Sequence, residues 1–457
     1  MGSAARQVPE SGRPMTRRGT KGIPASRVPA SLRGEASLAF LGVVGGAVTA
    51  LLGSLLVARL LAPTERGHYA SIVVFLTLAL TCLEMGGEVG VLRGLGETRK
   101  EGTSFSAGYL AWTLLASASV AAAARAVGDW TPPWLQPLWL LAPCATAAVY
   151  GGLVFRLTTG MLVSSGRLRR LIVTRTLGNC GPVLGCLLCV PLGFTSALEV
   201  ATVSFVAQAV LNSVLLFRLE QARGSLLHLA RHGRDRAAWR RSMALIWCQG
   251  NVDLHVLNGS TYVLQRSDQM GLSVVGADRT LGIYAIATNV SEVVSYLPAA
   301  LFPLVSRGRP GHPVDLRRIL LLLALCVGAC TPLAYFALPL VYGEAYRAAQ
   351  PAILLLVPAT GVLAVGRLFQ GVELRDTGRR RTLAVIAVAA AAFEFTAVFL
   401  CGGAGPVAAA LACAVGYTVF TVWIILSRTT RRSPAARPGV DAVPVQGGAS
   451  ARDTADG

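Results

Sequence analysis

Arg156-Leu157-Thr158-Thr159-Gly160, followed by Gly166-Arg167-Leu168-Arg169-Arg170, closes one long apolar run and precedes another. The chain repeats the pattern as Arg367-Leu368-Phe369-Gln370-Gly371, then Gly378-Arg379-Arg380-Arg381. A second echo lies upstream of each: Gly67-His68-Tyr69-Ala70 opens one apolar run and Gly282-Ile283-Tyr284-Ala285 opens another. The offsets nearly agree, 367 − 156 = 211 and 282 − 67 = 215. Each match is short, but two in the same order and at nearly one offset mark a chain built twice.

Working outward, the 457 residues are 53% hydrophobic and only 14% charged. Soluble domains carry roughly 25% charged residues, so the composition points to a membrane. Runs of about 20 apolar residues, the length that crosses a bilayer, recur from one end to the other. Twelve spans are expected, near 37–61, 69–92, 105–127, 135–160, 171–192, 197–217, 243–265, 281–305, 317–341, 350–371, 382–401 and 406–427. The fold expected is all-α and polytopic. The repeat offset moves span 2 onto span 8 and span 4 onto span 10, giving two like-oriented six-helix lobes, 37–217 and 243–428, around a central cavity. Basic 218–242 is the natural linker, and 1–36 and 429–457 read as disordered tails.

The net charge of +19 does not indicate nucleic acid, because the basic residues sit mostly in alternate short loops. Arg167, Arg169 and Arg170 crowd one such loop and Arg375, Arg379, Arg380 and Arg381 another, whereas 129–133 and 401–405 have no basic residue. That alternation predicts a multi-pass protein of the cytoplasmic membrane with both termini in the cytoplasm. Trp130, Trp134 and Trp139 suit an interfacial belt at the opposite face. The ten cysteines fall in or beside apolar runs and read as buried thiols.

Several chemistries lack their residues. There is no phosphate-binding loop, with only Lys21 and Lys100 to build one, and no nucleophile motif or magnesium-binding aspartate cluster. His228 and His232 lie four apart on a basic connection with little acidic company, so no metal or other cofactor is expected. A transporter rather than an enzyme remains.

Charges inside a bilayer are costly and usually face a partner or water. Arg156 and Arg367, with Arg175 nearby, either form a cationic site for an anionic lipid head group or snorkel to the interface. Thr77, Thr81, Glu84 and Glu88 share one face of span 2; Thr288, Glu292 and Ser295, with Asn289 beside them, mirror them on span 8. Asp253 on span 7 and Glu292 are expected near mid-depth, where they would bind an ion, be neutralised by arginine, or be protonated. Glu394, alone in span 11, reads as a structural hydrogen-bonding group.

With these residues in hand, the chain resembles the polysaccharide and O-antigen flippases of the multidrug/oligosaccharidyl-lipid/polysaccharide exporter superfamily. The resemblance is carried by Ala58-Arg59-Leu60-Leu61-Ala62-Pro63 running into Gly67-His68-Tyr69-Ala70, by Arg266-Ser267-Asp268 before Leu281-Gly282-Ile283-Tyr284-Ala285, by 303–306, and by Tyr342-Gly343-Glu344-Ala345-Tyr346 with Ala349. It implies two six-helix lobes rocking about a partly cationic cavity. It also implies an undecaprenyl-pyrophosphate-linked sugar unit as substrate, membrane lipids around it, and a glycan polymerase or glycosyltransferases as partners. The peptidoglycan-precursor flippases of the superfamily have two further spans, not found here. Glu84, Glu88, Asp253 and Glu292 depart from an all-cationic cavity. An ion-coupled multidrug or cation antiporter of the same superfamily, or a non-transporting scaffold of a glycan assembly complex, stands as the alternative.

Overall fold

The computed structural model describes residues 30–84, 99–126, 140–165, 167–220, 249–296, 316–373 and 379–429, with 222–225, 227, 240 and 244 between them. These residues form helices α1 (Ala30–Leu60), α2 (Pro63–Leu83), α3 (Arg99–Ala126), α4 (Leu141–Ser164), α5 (Leu168–Gly178), α6 (Gly181–Leu192) and α7 (Ala197–Phe217) in the first half. The second half has α8 (Gln249–Val274), α9 (Asp278–Ser291), α10 (Leu316–Tyr342), α11 (Gln350–Glu373), α12 (Arg380–Cys401) and α13 (Pro406–Thr429), with a short 3-10 turn at Glu344–Ala349. The protein is an all-α polytopic membrane protein: among the described residues, nine spans are long and apolar enough to cross a bilayer. Glu88, residues 1–29 of the expected tail 1–36, residues 430–457 of the expected tail 429–457, His228 and His232, and the greater part of the 218–242 linker lie outside the described residues.

Three of the twelve expected spans fall short of that criterion, and each for a visible reason. The apolar part of α1 is described only over Val44–Leu60. Helix α9 runs 14 residues to Ser291. Helix α8 is long enough but carries Asp253, Arg266, Asp268 and a series of amides. All three contribute residues to the cavity described below, Arg266 and Gln269 of α8 among them.

Local sequence sets the boundaries. Pro63 sits in the first turn of α2, where its missing N–H costs nothing, so the helix begins there rather than at the expected 69. Ser196 and Glu199 close a capping box at the start of α7. The fifth expected span breaks into α5 and α6 at Asn179-Cys180, and Pro182 restarts it. Helix α8 runs to Val274, nine residues beyond the expected 265, and stops where Gly276 takes φ +72. The expected turn at Arg266–Arg279 is therefore mostly helix.

Buried apolar residues fall into three clusters. Two are built from first-half helices, around Leu153–Leu157 and around Cys186–Ala201. The third is built from second-half helices and takes in Ala58 and Ala70 of the first half. The halves meet where α2 crosses α9. A Cβ on Gly67 would lie 1.9 Å from the Asp278 carbonyl oxygen, and one on Gly282 would lie 1.9 Å from that of Pro63. These are the echo glycines, and their contacts keep one offset: 282 − 67 = 215 and 278 − 63 = 215. The repeat is thus a reciprocal crossing in which each helix needs a glycine where the other's backbone passes.

The same end of the molecule is stitched by side chains. Ser273 donates to Ser71 at 2.7 Å. Arg59 donates to the carbonyl of Val341 at the end of α10, at 3.1 and 2.6 Å. Tyr346, fully buried, offers its hydroxyl to the carbonyls of Ala58 and Leu61, 3.2 and 3.0 Å away, where α1 runs out of helical partners. Tyr346→Phe is expected to cost about 1–2 kcal/mol, a buried acceptor losing its donor. A lower thermal midpoint in detergent, with an unchanged circular dichroism spectrum, would register it.

Candidate functional site

Between the halves lies a cavity of about 520 Å³, walled by α1, α2, α4, α5, α6, α7, α8 and α9. Four guanidinium groups reach it: Arg66, Arg156, Arg175 and Arg266. The amides of Asn179, Gln208, Gln269 and Asn289, the phenols of Tyr69, Tyr262 and Tyr296 and the hydroxyls of Ser54, Thr77 and Thr159 complete the polar lining. Among the described residues, no carboxylate lines it.

Each arginine is held differently. Arg156 projects from the middle of α4, with Nε 3.7 Å from Oε2 of Glu84, and keeps 42% of its side chain exposed. Glu84 caps α2 and is itself buried; its own carbonyl and that of Leu83 accept from Tyr109 and Trp112 of α3. Arg175 lies in the last turn of α5, just before the helix break that turns Asn179 toward the cavity. Arg66 donates to Ser54 at 3.3 Å and lies 5.1 Å over the ring of Tyr69. Arg266 pairs with Glu292 at 2.7 Å, the short distance of a charge-assisted bond. Asn289 reaches across from α9 to Ser54 of α1 at 2.8 Å.

The residues singled out from sequence are therefore distributed unevenly. Arg156, Arg175 and Asn289 line the cavity, while Glu84 and Glu292 stand one layer behind it as arginine partners. Arg367, the repeat mate of Arg156, does not line it: it belongs to the second-half packing, with Glu292, Arg266 and Tyr417 as its electrostatic neighbours and a buried Nε that makes no hydrogen bond. Asp253 does not line it either: its carboxylate pairs at 3.2 Å with Arg381, an exposed residue of the Arg-rich connection, the neutralisation by arginine that was one of its three expected fates. Thr77 and Thr81 donate to carbonyls of their own helix, at 2.7 and 2.8 Å.

Arg66, Arg266 and Asp268 are not among the site residues expected from sequence, where Arg266-Ser267-Asp268 enters only through the resemblance and all three fall between the expected spans. The boundary signals were present: Pro63 marks a helix start, and Gly276, not Arg266, marks the helix stop. Asp268 is fully buried and accepts from Tyr284 at 2.5 Å. Its carboxylate, that of Glu394 and the thiol of Cys413 lie within 4.8 Å of one another, drawn from α8, α12 and α13. Glu394 is therefore not alone. Gly416 makes room for it, since a Cβ there would lie 2.6 Å from Oε2, and neither of its carboxylate oxygens completes a hydrogen bond.

The described helices thus enclose a polar cavity within an apolar bundle. No protein-family model and no curated protein matches the chain by sequence. Solved structures do match by shape. An inward-facing multidrug resistance transporter of the MATE family, in the MOP superfamily, superposes with a TM-score of 0.61 at 13% identity, over 84% of this chain and 94% of that one. The MATE multidrug transporter DinF-BH, solved in complex with R6G, gives 0.58 at 14% identity, over 89% and 96%. The lipid II flippase MurJ, in an inward closed conformation, gives 0.51 at 11% identity, over 86% and 87%. The chain has the fold of the MOP-superfamily transporters, multidrug exporters and flippases alike. Those proteins are transporters rather than enzymes, and this sequence contains no recognisable catalytic motif.

Proposed function

We propose that the protein moves an anionic amphiphile across the cytoplasmic membrane by alternating access, and that a polyprenyl-pyrophosphate-linked oligosaccharide is the substrate class. The observation that carries this reading is the cavity wall: four arginines and no carboxylate among the described lining residues. Two of the four have acidic partners, Glu84 and Glu292, so the site keeps a net charge of 4 − 2 = +2 for an incoming anion. Guanidinium forks match the oxygens of a pyrophosphate.

An apolar groove adds the second half of an amphiphile's needs. It measures about 370 Å³ and is lined by Leu51, Leu52 and Leu55 of α1, Val290 and Val293 of the α9 region, and Leu333 of α10. Helix α1 and the α9 region line both the groove and the cavity, and Ser54 and Asn289 join them there. A head group in the cavity and a lipid tail in the groove would lie on either side of that bond. Apart from Asn289–Ser54 and Tyr262–Val74 beside the cavity, the described interhalf hydrogen bonds gather at the end away from the Arg-rich connections, which supports an inward-open state with those connections and both termini in the cytoplasm. Partner glycosyltransferases or a glycan polymerase would follow from the substrate.

The second reading, an ion-coupled multidrug antiporter, has support of its own. The multidrug transporters superpose better than the flippase, at 0.61 and 0.58 against 0.51. Two buried carboxylates as close as Asp268 and Glu394 need a proton or a cation between them, which is what coupling requires. One experiment separates the readings: vesicles containing the full-length protein, offered a labelled pyrophosphate-linked sugar lipid or a cationic dye. The double variant R156Q/R175Q is expected to slow the lipid at least about tenfold, each lost charge-assisted contact being worth about that factor, and to spare the dye. Gradient-driven efflux of the dye with no crossing of the lipid would replace the first reading with the second.

A further inference from the structure

The seam between α2 and α9 carries a charged contact that substrate binding does not use. His68 follows the crossing glycine Gly67. Its Nδ1 lies 3.2 Å from Oε1 of Glu65, and its Nε2 lies 3.2 Å from Oδ2 of Asp278 in the other half. The second oxygen of Glu65 accepts the backbone N–H of Ala197, first residue of α7, at 2.9 Å. One line of contacts thus runs from the start of α7 through Glu65 and His68 to the start of α9. The repeat does not require it. At the same offset the counterpart of His68 is 68 + 215 = 283, an isoleucine, and that of Asp278 is 278 − 215 = 63, a proline. The glycine crossing is reciprocal, whereas the charged contact exists on one side only.

A neutral imidazole has one N–H, so it can donate to only one of two carboxylates; its other nitrogen then sets a lone pair against the second. Only the imidazolium donates to both. The other ionisable groups around the seam are engaged elsewhere or point away. Arg66 turns to Ser54 and Tyr69, and Glu199 of α7 accepts the N–H of Ser196. Arg59 of α1 is held by α10 carbonyls, Glu344 and Arg347 pair with each other, and Arg279 is exposed. The thiols of Cys144 and Cys186 on α4 and α6 lie near Tyr69, and α8 presents the hydroxyl of Ser273. Among the described residues, Glu65 and Asp278 are the carboxylates that face the ring.

We propose that His68 is a proton-operated clasp: protonated, it holds α2 to α9 and keeps the seam shut; neutral, it frees α9 and lets the seam part. The clasp rests on the alternating-access part of the function proposed above and not on the identity of the substrate. With the Arg-rich face inside, the seam opens to the exterior and responds to external pH.

The adjacent pair Ser71 and Ser273, 2.7 Å apart across the halves, supplies the reporter. The full-length S71C/S273C protein in vesicles is treated with a short homobifunctional methanethiosulfonate, and linked peptides are counted by mass spectrometry. Cross-linking with His68 intact, divided by that of H68Q at the same pH, cancels the thiol chemistry. The ratio should be about fivefold at about pH 5.5 and fall close to one at about pH 8, as expected for a histidine ion pair lost with its proton. D278N, which leaves Glu65 on the ring but cuts the link to α9, should remove the pH dependence, and it serves alone if H68Q does not fold. A ratio that does not change with pH, or a pH dependence that survives D278N, would overturn the clasp. A pH-dependent seam in a protein that carries neither lipid nor dye would retire the substrate readings and leave the clasp in place.

Discussion

Valine at Gly67 or at Gly282 is expected to remove transport and to leave the seam between α2 and α9 unable to close. The added Cβ at either position would stand 1.9 Å from a backbone carbonyl of the opposing helix. Carbon and its neighbours rest at about 3.5 Å, so the helices must move apart by roughly 1.5 Å. No rotamer change relieves a backbone–backbone contact, which distinguishes these two sites from most helix glycines. Overpacking of this kind costs about 1–3 kcal/mol or more. At 1.4 kcal/mol per decade that shifts the closed-to-open ratio about five- to a hundredfold. The S71C/S273C cross-link should fall by that factor in G67V and in G282V. Alanine at Gly259, where the nearest atom to the new methyl is Thr81 Cγ2 at 3.9 Å, should cross-link like the parent. If G67V both transports and cross-links normally, the crossing is not the element on which the two states turn.

That crossing was visible in the sequence only as an echo. Gly67-His68-Tyr69-Ala70 and Gly282-Ile283-Tyr284-Ala285 were legible as related, because a repeat keeps residues that backbone geometry demands. What the glycines were for was not legible, since close approach is a property of two helices and a sequence displays one at a time. The same limit explains Arg367. Its relation to Arg156 could be read, but the pseudo-symmetric mate of a cavity residue need not face the cavity, and here it packs behind Arg266 and Glu292. Apolar runs located the spans well wherever hydropathy alone decides them, as in α4, α7 and α10 to α13. They stopped short at α8, where polar residues after 265 made the last nine residues of the helix look like a turn. The early boundary at 265 left Arg266 and Asp268 outside the helix that carries them. The error fell at the site because helices that enclose water lose the apolar pattern by which spans are recognised.

Arg266 and Glu292 offer the sharpest separation of stability from transport. Their 2.7 Å contact joins α8 to the end of α9, and both side chains are about a quarter exposed. Removing one partner of such a pair strands the other charge in a poorly solvated place. E292L alone is therefore expected to cost about 3 kcal/mol, visible as a lower thermal midpoint in detergent. The stranded Arg266 has Arg367 for a neighbour, so repulsion adds to the desolvation penalty. The double variant R266M/E292L removes both charges and keeps similar volume. Its stability should return to within about 1 kcal/mol of the parent, a coupling of opposite sign to the single loss. Transport of the pyrophosphate-linked lipid should not return with it, because one of the four guanidinium groups on the cavity wall is gone. Full recovery of transport in the double variant would make the pair a fastening between helices and would take Arg266 out of the binding site, leaving Arg66, Arg156 and Arg175 to account for the cationic wall.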